Sequence, residues 1–290
     1  MHPEIPFLAY VAVLVGALLH ASWNVAIRSG ADRRMDTARL VVGGSVAALL
    51  VLPLLRQPAA AAWPHLLLTA ILHVAYFGLL AAAYARARVA VSYPLMRGVA
   101  PLLVLVAAIG LFGEPLHLLA VVGVGAVGIG VLLLRARLLP GEEGALGYAL
   151  ANAVVIAAYT LNDAAGARLS GAPMAYALWT YPLTALPTVG WLLRGRGLGA
   201  LLQPAPGQSV TRGRSAVLLL RGMAGGASSL VSYALALWAM TVAPVGQVAA
   251  LRETAMLFAV LLAWMFLGEH PSRRGIAAVV CIAAGAGLLR

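Results

Sequence analysis

The chain has 290 residues, 62% of them hydrophobic and 10% charged, with a net charge of +11. A soluble domain carries about a quarter charged residues, so the polar surface here is too small to cover a water-soluble globule. Every basic residue is arginine, and most lie in short connections between apolar runs, which points to membrane topology and away from nucleic acid.

The apolar runs are continuous, so the alternating pattern of a membrane β-barrel is excluded and the spans are helices. At about 20 apolar residues per crossing, ten helices are predicted. The first covers 7–28; no basic segment precedes it in "MHPEIPFLAY", so it reads as a span and not as a cleaved leader. Its His20, Trp23 and Asn24 share a face by i, i+3, i+4 spacing. The second covers 37–55. The third, 64–86, places His73, Tyr76 and Phe77 on one face by the same rule. The fourth, 90–111, holds Tyr93, Met96 and Arg97. The fifth, 115–134, contains the glycine run Gly123 to Gly130, which reads as close helix packing because no phosphate-loop context surrounds it.

The sixth predicted helix, 144–165, carries an inward stripe of Asn152, Ile156, Tyr159 and Asp163. The seventh covers 172–193. A connection from Arg194 to Ser215, rich in Gly, Pro and Arg, reads as a flexible or surface segment. The eighth, 215–240, has a small polar face of Gly225, Ser228, Ser229 and Ser232, with Tyr233 and Trp238 beyond. Arg221 on this helix suits snorkelling. The ninth, 244–267, holds Gln247, Arg252 and Glu253. The tenth, 271–289, holds the lone Cys281, which has no partner for an internal disulfide. Trp63, Trp179, Trp191 and Trp264 suit an interfacial belt.

Arginines concentrate in every second connection. Connections 1–2, 3–4, 5–6, 7–8 and 9–10 hold the clusters, whereas the even ones hold Arg56 and Arg168. The positive-inside rule puts the arginine-rich side in the cytoplasm and both termini outside. A repeat is also visible. "LFGEPL" (Leu111 to Leu116) echoes "FLGEHP" (Phe266 to Pro271), and Arg97 and Arg252 are separated by the same 155 positions as Glu114 and Glu269. The division falls at 1–138 and 139–290, five helices each. An odd number of spans turns the second unit upside down, as the opposite arginine bias of matching connections requires. The expected fold is thus all-α and integral to the membrane, two inverted five-helix repeats around a central cavity. The GE glutamates are expected at helix starts after glycine C-caps at Gly113 and Gly268, with each carboxylate on the dipole of the helix that follows.

The ten-span pattern, the paired GE turns and "ALRETAMLFAVLLAWMFLGE" resemble the EamA-domain family of the drug/metabolite transporter superfamily; "HASWN" in the first helix is similar to that group too. The resemblance implies a ten-helix inverted-repeat bundle and export of small metabolites, often amino acids and in some members aromatic ones.

An arginine at the centre of a span costs about 2.5–3.5 kcal/mol on insertion scales. Arg97 therefore either snorkels from the first turn of its helix or faces a cavity and a substrate carboxylate. Arg252 and the adjacent Glu253 point about 100° apart, so one of them can pair with another helix. Each polar stripe is either packing glue or pocket lining. Together the stripes nominate Trp23, Asn24, His73, Tyr76, Phe77, Tyr93, Met96, Arg97, Tyr159, Ser232, Tyr233, Gln247 and Arg252 for substrate binding. Asp163, Glu253 and His73 are nominated for proton coupling. The six histidines have no metal-ligand spacing and no nucleotide motif is present, so no cofactor is expected and the chain is not read as an enzyme. The expectation is a bacterial inner-membrane secondary transporter, a monomer, exporting small amphipathic metabolites such as amino acids by alternating access. Its expected partners are the bilayer and a small solute, with no nucleic acid. A passive facilitator or channel, an integral-membrane transferase and a scaffold without a solute path are the alternatives.

Overall fold

The computed structural model describes residues 5–28, 32–115, 117–135, 139–195, 197–203, 212–268 and 270–289. Glu269, Arg137, Arg196, Arg290 and much of the connection from Arg194 to Ser215 lie outside them. In lipid a backbone amide has no water to bond, so each apolar run closes its own hydrogen bonds as a helix. The result is α1 (Phe7–Arg28), α2 (Arg33–Val51), α3 (Trp63–Tyr84), α4 (Val89–Phe112), α5 (Leu118–Leu133), α6 (Gly144–Ser170), α7 (Pro173–Leu192), α8 (Arg212–Val242), α9 (Val245–Arg252), α10 (Thr254–Leu267) and α11 (Arg273–Leu288). Among the described residues there is no strand. Seven stretches of the described residues are long and apolar enough to cross a membrane, and α5 is a shorter apolar helix.

The helix ends follow local chemistry. Asp32 caps α2 by accepting the Met35 amide at 3.1 Å, and Ser272 caps α11 by accepting that of Gly275 at 3.2 Å. Gly113 and Gly268 end α4 and α10 with φ of 62° and 66°, a region where a Cβ is strained. The predicted ninth span arrives as two helices, α9 and α10, with the break at Glu253. The Glu253 amide bonds back to Ala250 at 2.9 Å, one residue short of an α-helical bond.

Glu114 departs from expectation. Its carboxylate does not serve the helix that follows it. Both oxygens accept the Val245 amide, at 2.8 and 3.0 Å, so it caps α9 across the bundle. Arg168, near the end of α6, joins it at 3.2 Å. At the other end of the same two helices, Arg88 meets Glu142 through Nε at 2.8 Å and Nη2 at 3.0 Å. The Arg88 guanidinium and the Leu139 amide together hold the Glu142 carboxyl down at about 2. Thus α4 and α6 are joined at both ends by ion pairs of opposite polarity.

Helices of one half lean on those of the other. α3 and α4 pack on α6, while α1 packs on α8 and α10. Exchange α1 with α6, α2 with α7, α3 with α8, α4 with α9–α10 and α5 with α11, and these contacts map onto one another; α2–α7, α5–α11 and α4–α9 map onto themselves. The closest approach is between α2 and α8. A Cβ on Gly43 would lie 2.6 Å from the Gly222 carbonyl oxygen, and one on Gly226 would collide with the Gly44 amide. The glycine runs do the same for α5 and α11, where a Cβ on Gly285 would lie 2.7 Å from the Gly123 carbonyl oxygen.

Candidate functional site

The site grows from the two repeat-related arginines. Arg97 sits just over two turns into α4 and is 9% exposed, so it does not snorkel. It grips Glu253 with two bonds, Nε to Oε2 at 3.0 Å and Nη2 to Oε1 at 2.9 Å. The helix break places both residues at this point favourably. Arg252 closes α9 at its negative end, and Glu253 opens α10 at its positive end.

Arg252 itself is half-buried and makes no ion pair among the described residues. Its guanidinium lies over the Tyr233 ring, 5.5 Å from the centroid. Val13, Gly16, Ala17, His20, Arg97, Ser232 and Arg252 surround a central gap between α1, α4, α8 and α9 that is closed too tightly for a water molecule. Two guanidinium groups line the gap, and the one carboxylate beside them, Glu253, is bonded to Arg97, so Arg252 has no ion-paired carboxylate among the described residues.

An aromatic wall stands beside it. His73 and Tyr159 approach to 4.7 Å between centroids, Tyr76 meets Tyr159 edge-on at 6.2 Å, and Phe77 meets Tyr76 at 5.0 Å. Tyr76, Tyr93 and Tyr159 all lie within reach of the Arg97 charge. Asn152 donates to the Met96 sulfur at 3.2 Å, which leaves its Oδ1 buried with no partner. Trp23 packs edge-on against His20 at 4.9 Å, and its Nε1 is also buried without a partner.

Asp163 forms the third part. It is fully buried, and its Oδ1 accepts the hydroxyls of Thr69 and Tyr176, the latter at 3.0 Å. Its Oδ2 accepts the Tyr233 hydroxyl. The neighbouring Asn162 donates to Thr69 Oγ1 and to the His65 carbonyl, both at 2.8 Å, so its own Oδ1 accepts from His65 Nδ1. His73 Nδ1 faces the Thr69 carbonyl at 2.9 Å; a carbonyl only accepts, so this nitrogen carries hydrogen.

A sequence model of the EamA-like transporter family matches residues 7–136 and again 144–290. The chain belongs to this family. An EamA-like transporter is a multi-pass membrane protein of the drug/metabolite transporter superfamily, a family of transporters and not of enzymes. A solved crystal structure aligns over 97% of this transporter and 96% of its own chain, with a TM-score of 0.68 and 22% identity, a likeness that shows the fold. Among curated proteins there is no match.

The transporter brings His73, Tyr76, Phe77, Tyr159, Tyr93, Met96, Arg97, Arg252, Glu253, Tyr233 and Asp163 into one linked cluster. Other nominated residues stand outside this cluster. Ser232 lines the gap, but its hydroxyl is committed to the Gly16 carbonyl at 2.7 Å, and Ser228 likewise bonds Leu19 at 3.2 Å. Both bonds tie α8 to α1. Asn24 donates to His20 of its own helix at 2.8 Å, and Gln247 is buried in α9. Trp63 and Trp179 stack on each other at 5.2 Å, and Trp179 donates to Gln57 at 2.9 Å. Two partners of Asp163, Thr69 and Tyr176, and the Asn162 that bonds Thr69, escaped the sequence reading. Thr69 carried a signal, one turn before His73 on the same face; Asn162 and Tyr176 lay off every stripe.

Proposed function

We propose that this transporter moves small amphipathic solutes bearing a carboxylate, amino acids and aromatic ones among them, outward by alternating access. The observation that carries the reading is Arg252, a guanidinium at the central gap that lies over an aromatic face and makes no ion pair among the described residues. Arginine suits a carboxylate because its fork matches both oxygens. The aromatic wall of His73, Tyr76, Phe77 and Tyr159 suits an apolar or aromatic side chain. The unpartnered Asn152 Oδ1 is an acceptor that a substrate ammonium satisfies.

In this reading the chain crosses the membrane ten times, as two inverted units, 1–138 and 139–290. The exchange symmetry of the helix contacts supports it. So does the opposite arginine bias of matching connections, which sets the termini on the periplasmic side of a bacterial inner membrane. Alternating access then rocks one set of helices past the other around the arginine pair.

Purified protein in liposomes preloaded with labelled phenylalanine, tyrosine, tryptophan and aliphatic amino acids tests the reading directly. Exchange against external unlabelled amino acid is expected, saturable and strongest for the aromatic ones. Substitution R252Q removes a charge-assisted contact of about 1.5–3 kcal/mol, so KM rises roughly tenfold to a hundredfold. Failure of every amino acid to exchange sinks the substrate assignment.

A further inference from the structure

We propose that Asp163 takes up a proton together with the solute carboxylate, and that Tyr233 couples this proton to Arg252. The proposal rests on Arg252 being the carboxylate's partner.

Asp163 is fully buried in α6 and has no arginine partner among the described residues. Three hydroxyls, from Thr69 of α3, Tyr176 of α7 and Tyr233 of α8, satisfy its oxygens. Thr69 donates to the ionised carboxylate, which only accepts, and itself accepts from Asn162. The titratable groups facing Asp163 are thus Tyr176 and Tyr233 by direct contact and His73 of α3 by charge. Tyr159 of its own helix also feels its charge.

Glu253 is a poor proton carrier by comparison. It neutralises Arg97 through two bonds, and protonating it would strand a buried guanidinium. The remaining charges form a second pair at longer range. Arg252 lies on the face of Tyr233, whose hydroxyl ends on Asp163. With both ionised, the site is neutral. A carboxylate arriving at Arg252 supplies that cation with a nearer counter-charge and adds one negative charge to a water-poor site. One proton on Asp163 restores neutrality. The proton adds to Oδ2, the new O–H donates to the Tyr233 oxygen, and the Tyr233 hydrogen turns to an oxygen of the carboxylate arriving at Arg252; no other bond changes. Proton and carboxylate therefore bind together, and outward flow of solute down its gradient carries protons outward.

Binding of phenylacetate and of phenylalanine to the purified protein, measured across pH, is the first test. A unit charge at roughly 10 Å in a medium of dielectric roughly 20 changes affinity by about tenfold. Phenylacetate affinity is expected to fall by about that factor as pH rises through the titration of Asp163. Phenylalanine, which brings its own ammonium, falls less. In liposomes containing a pH dye, an inward phenylacetate gradient is expected to acidify the lumen. D163N is expected to bind phenylacetate without pH dependence and to move it without protons, and Y233F to weaken the pH dependence. Alkalinisation of the lumen, proton movement that persists in D163N, or loss of it in H73Q with D163N still coupled, overturns the proposal. If neither probe binds, the substrate reading has failed and infrared titration of the purified protein decides the proton site. A carboxyl band that vanishes in D163N and shifts in R252Q is expected. A band untouched by R252Q refutes the coupling.

Discussion

The Arg97–Glu253 pair decides how the centre of the molecule tolerates change. Both side chains are buried, so removing one leaves the other charged and unpaired in a medium that solvates it poorly. E253Q is expected to cost about 3–5 kcal/mol, the size measured when one partner of a buried pair is lost. R97M/E253L in combination recovers most of that loss. Thermal unfolding of detergent-purified protein reads both, and a double variant no more stable than E253Q would falsify the pairing as the cause. A second residue-scale expectation concerns Gly166. A Cβ there would lie 2.6 Å from the Tyr176 ring carbons, so G166A pushes the Tyr176 hydroxyl off Asp163. The pH dependence of binding shifts in this variant, while R252Q-type loss of affinity does not occur. Residue by residue, the sequence exposed Arg97 and Arg252 because charge in an apolar run is conspicuous. Which of them was paired could not be read there, since pairing depends on how α4 lies against the α9–α10 break.

The ninth span shows what pattern alone conveys about an element. Its apolar length predicts one helix from 244 to 267, and the outer bounds agree with α9 and α10. The break at Glu253 carries no proline or glycine to announce it. It is tertiary, held by the Arg97 grip on the residue at the joint. Glu114 tells the same lesson: the GE signature marks a glycine-capped helix end, but the carboxylate's target, the start of α9, lies 131 residues on. The ion pairs at the two ends of α4 and α6 make these helices a strut. Glu142, held down at about 2, contributes stability that is fully present above the ordinary carboxylate range and is lost as pH falls toward that value. E142Q therefore loses less stability in acid than the parent protein, which forfeits the Glu142 contribution between about pH 5 and 2. Denaturation midpoints at several pH values check this. On the α2–α8 crossing, G226A forces two backbones apart and is expected to lower the yield of folded protein, measured by size-exclusion profile after membrane extraction.

At the scale of the whole molecule, composition sufficed to assign an all-helical membrane protein, and the GE turns and arginine spacing sufficed to suggest its repeats. The contact pattern adds what spacing could not: α3 and α4 rest on α6, and α1 rests on α8 and α10, so each packed body draws helices from both halves. Polar stripes were legible as faces, but whether a face binds solute or glues helices depended on where the opposing backbone carbonyls fell. Ser232 met one at Gly16, and Arg252 met none among the described residues. The span of the Arg97–Glu253 bond, 156 residues, has a further consequence for biosynthesis. At translation rates of about 5–20 residues per second, the ribosome delivers Glu253 roughly ten to thirty seconds after Arg97. Throughout that interval α4 carries an uncompensated guanidinium in a nascent, half-inserted chain. The translocon must therefore shelter or hold shallow the fourth helix until the ninth emerges, and final assembly of the protein is timed by its last third.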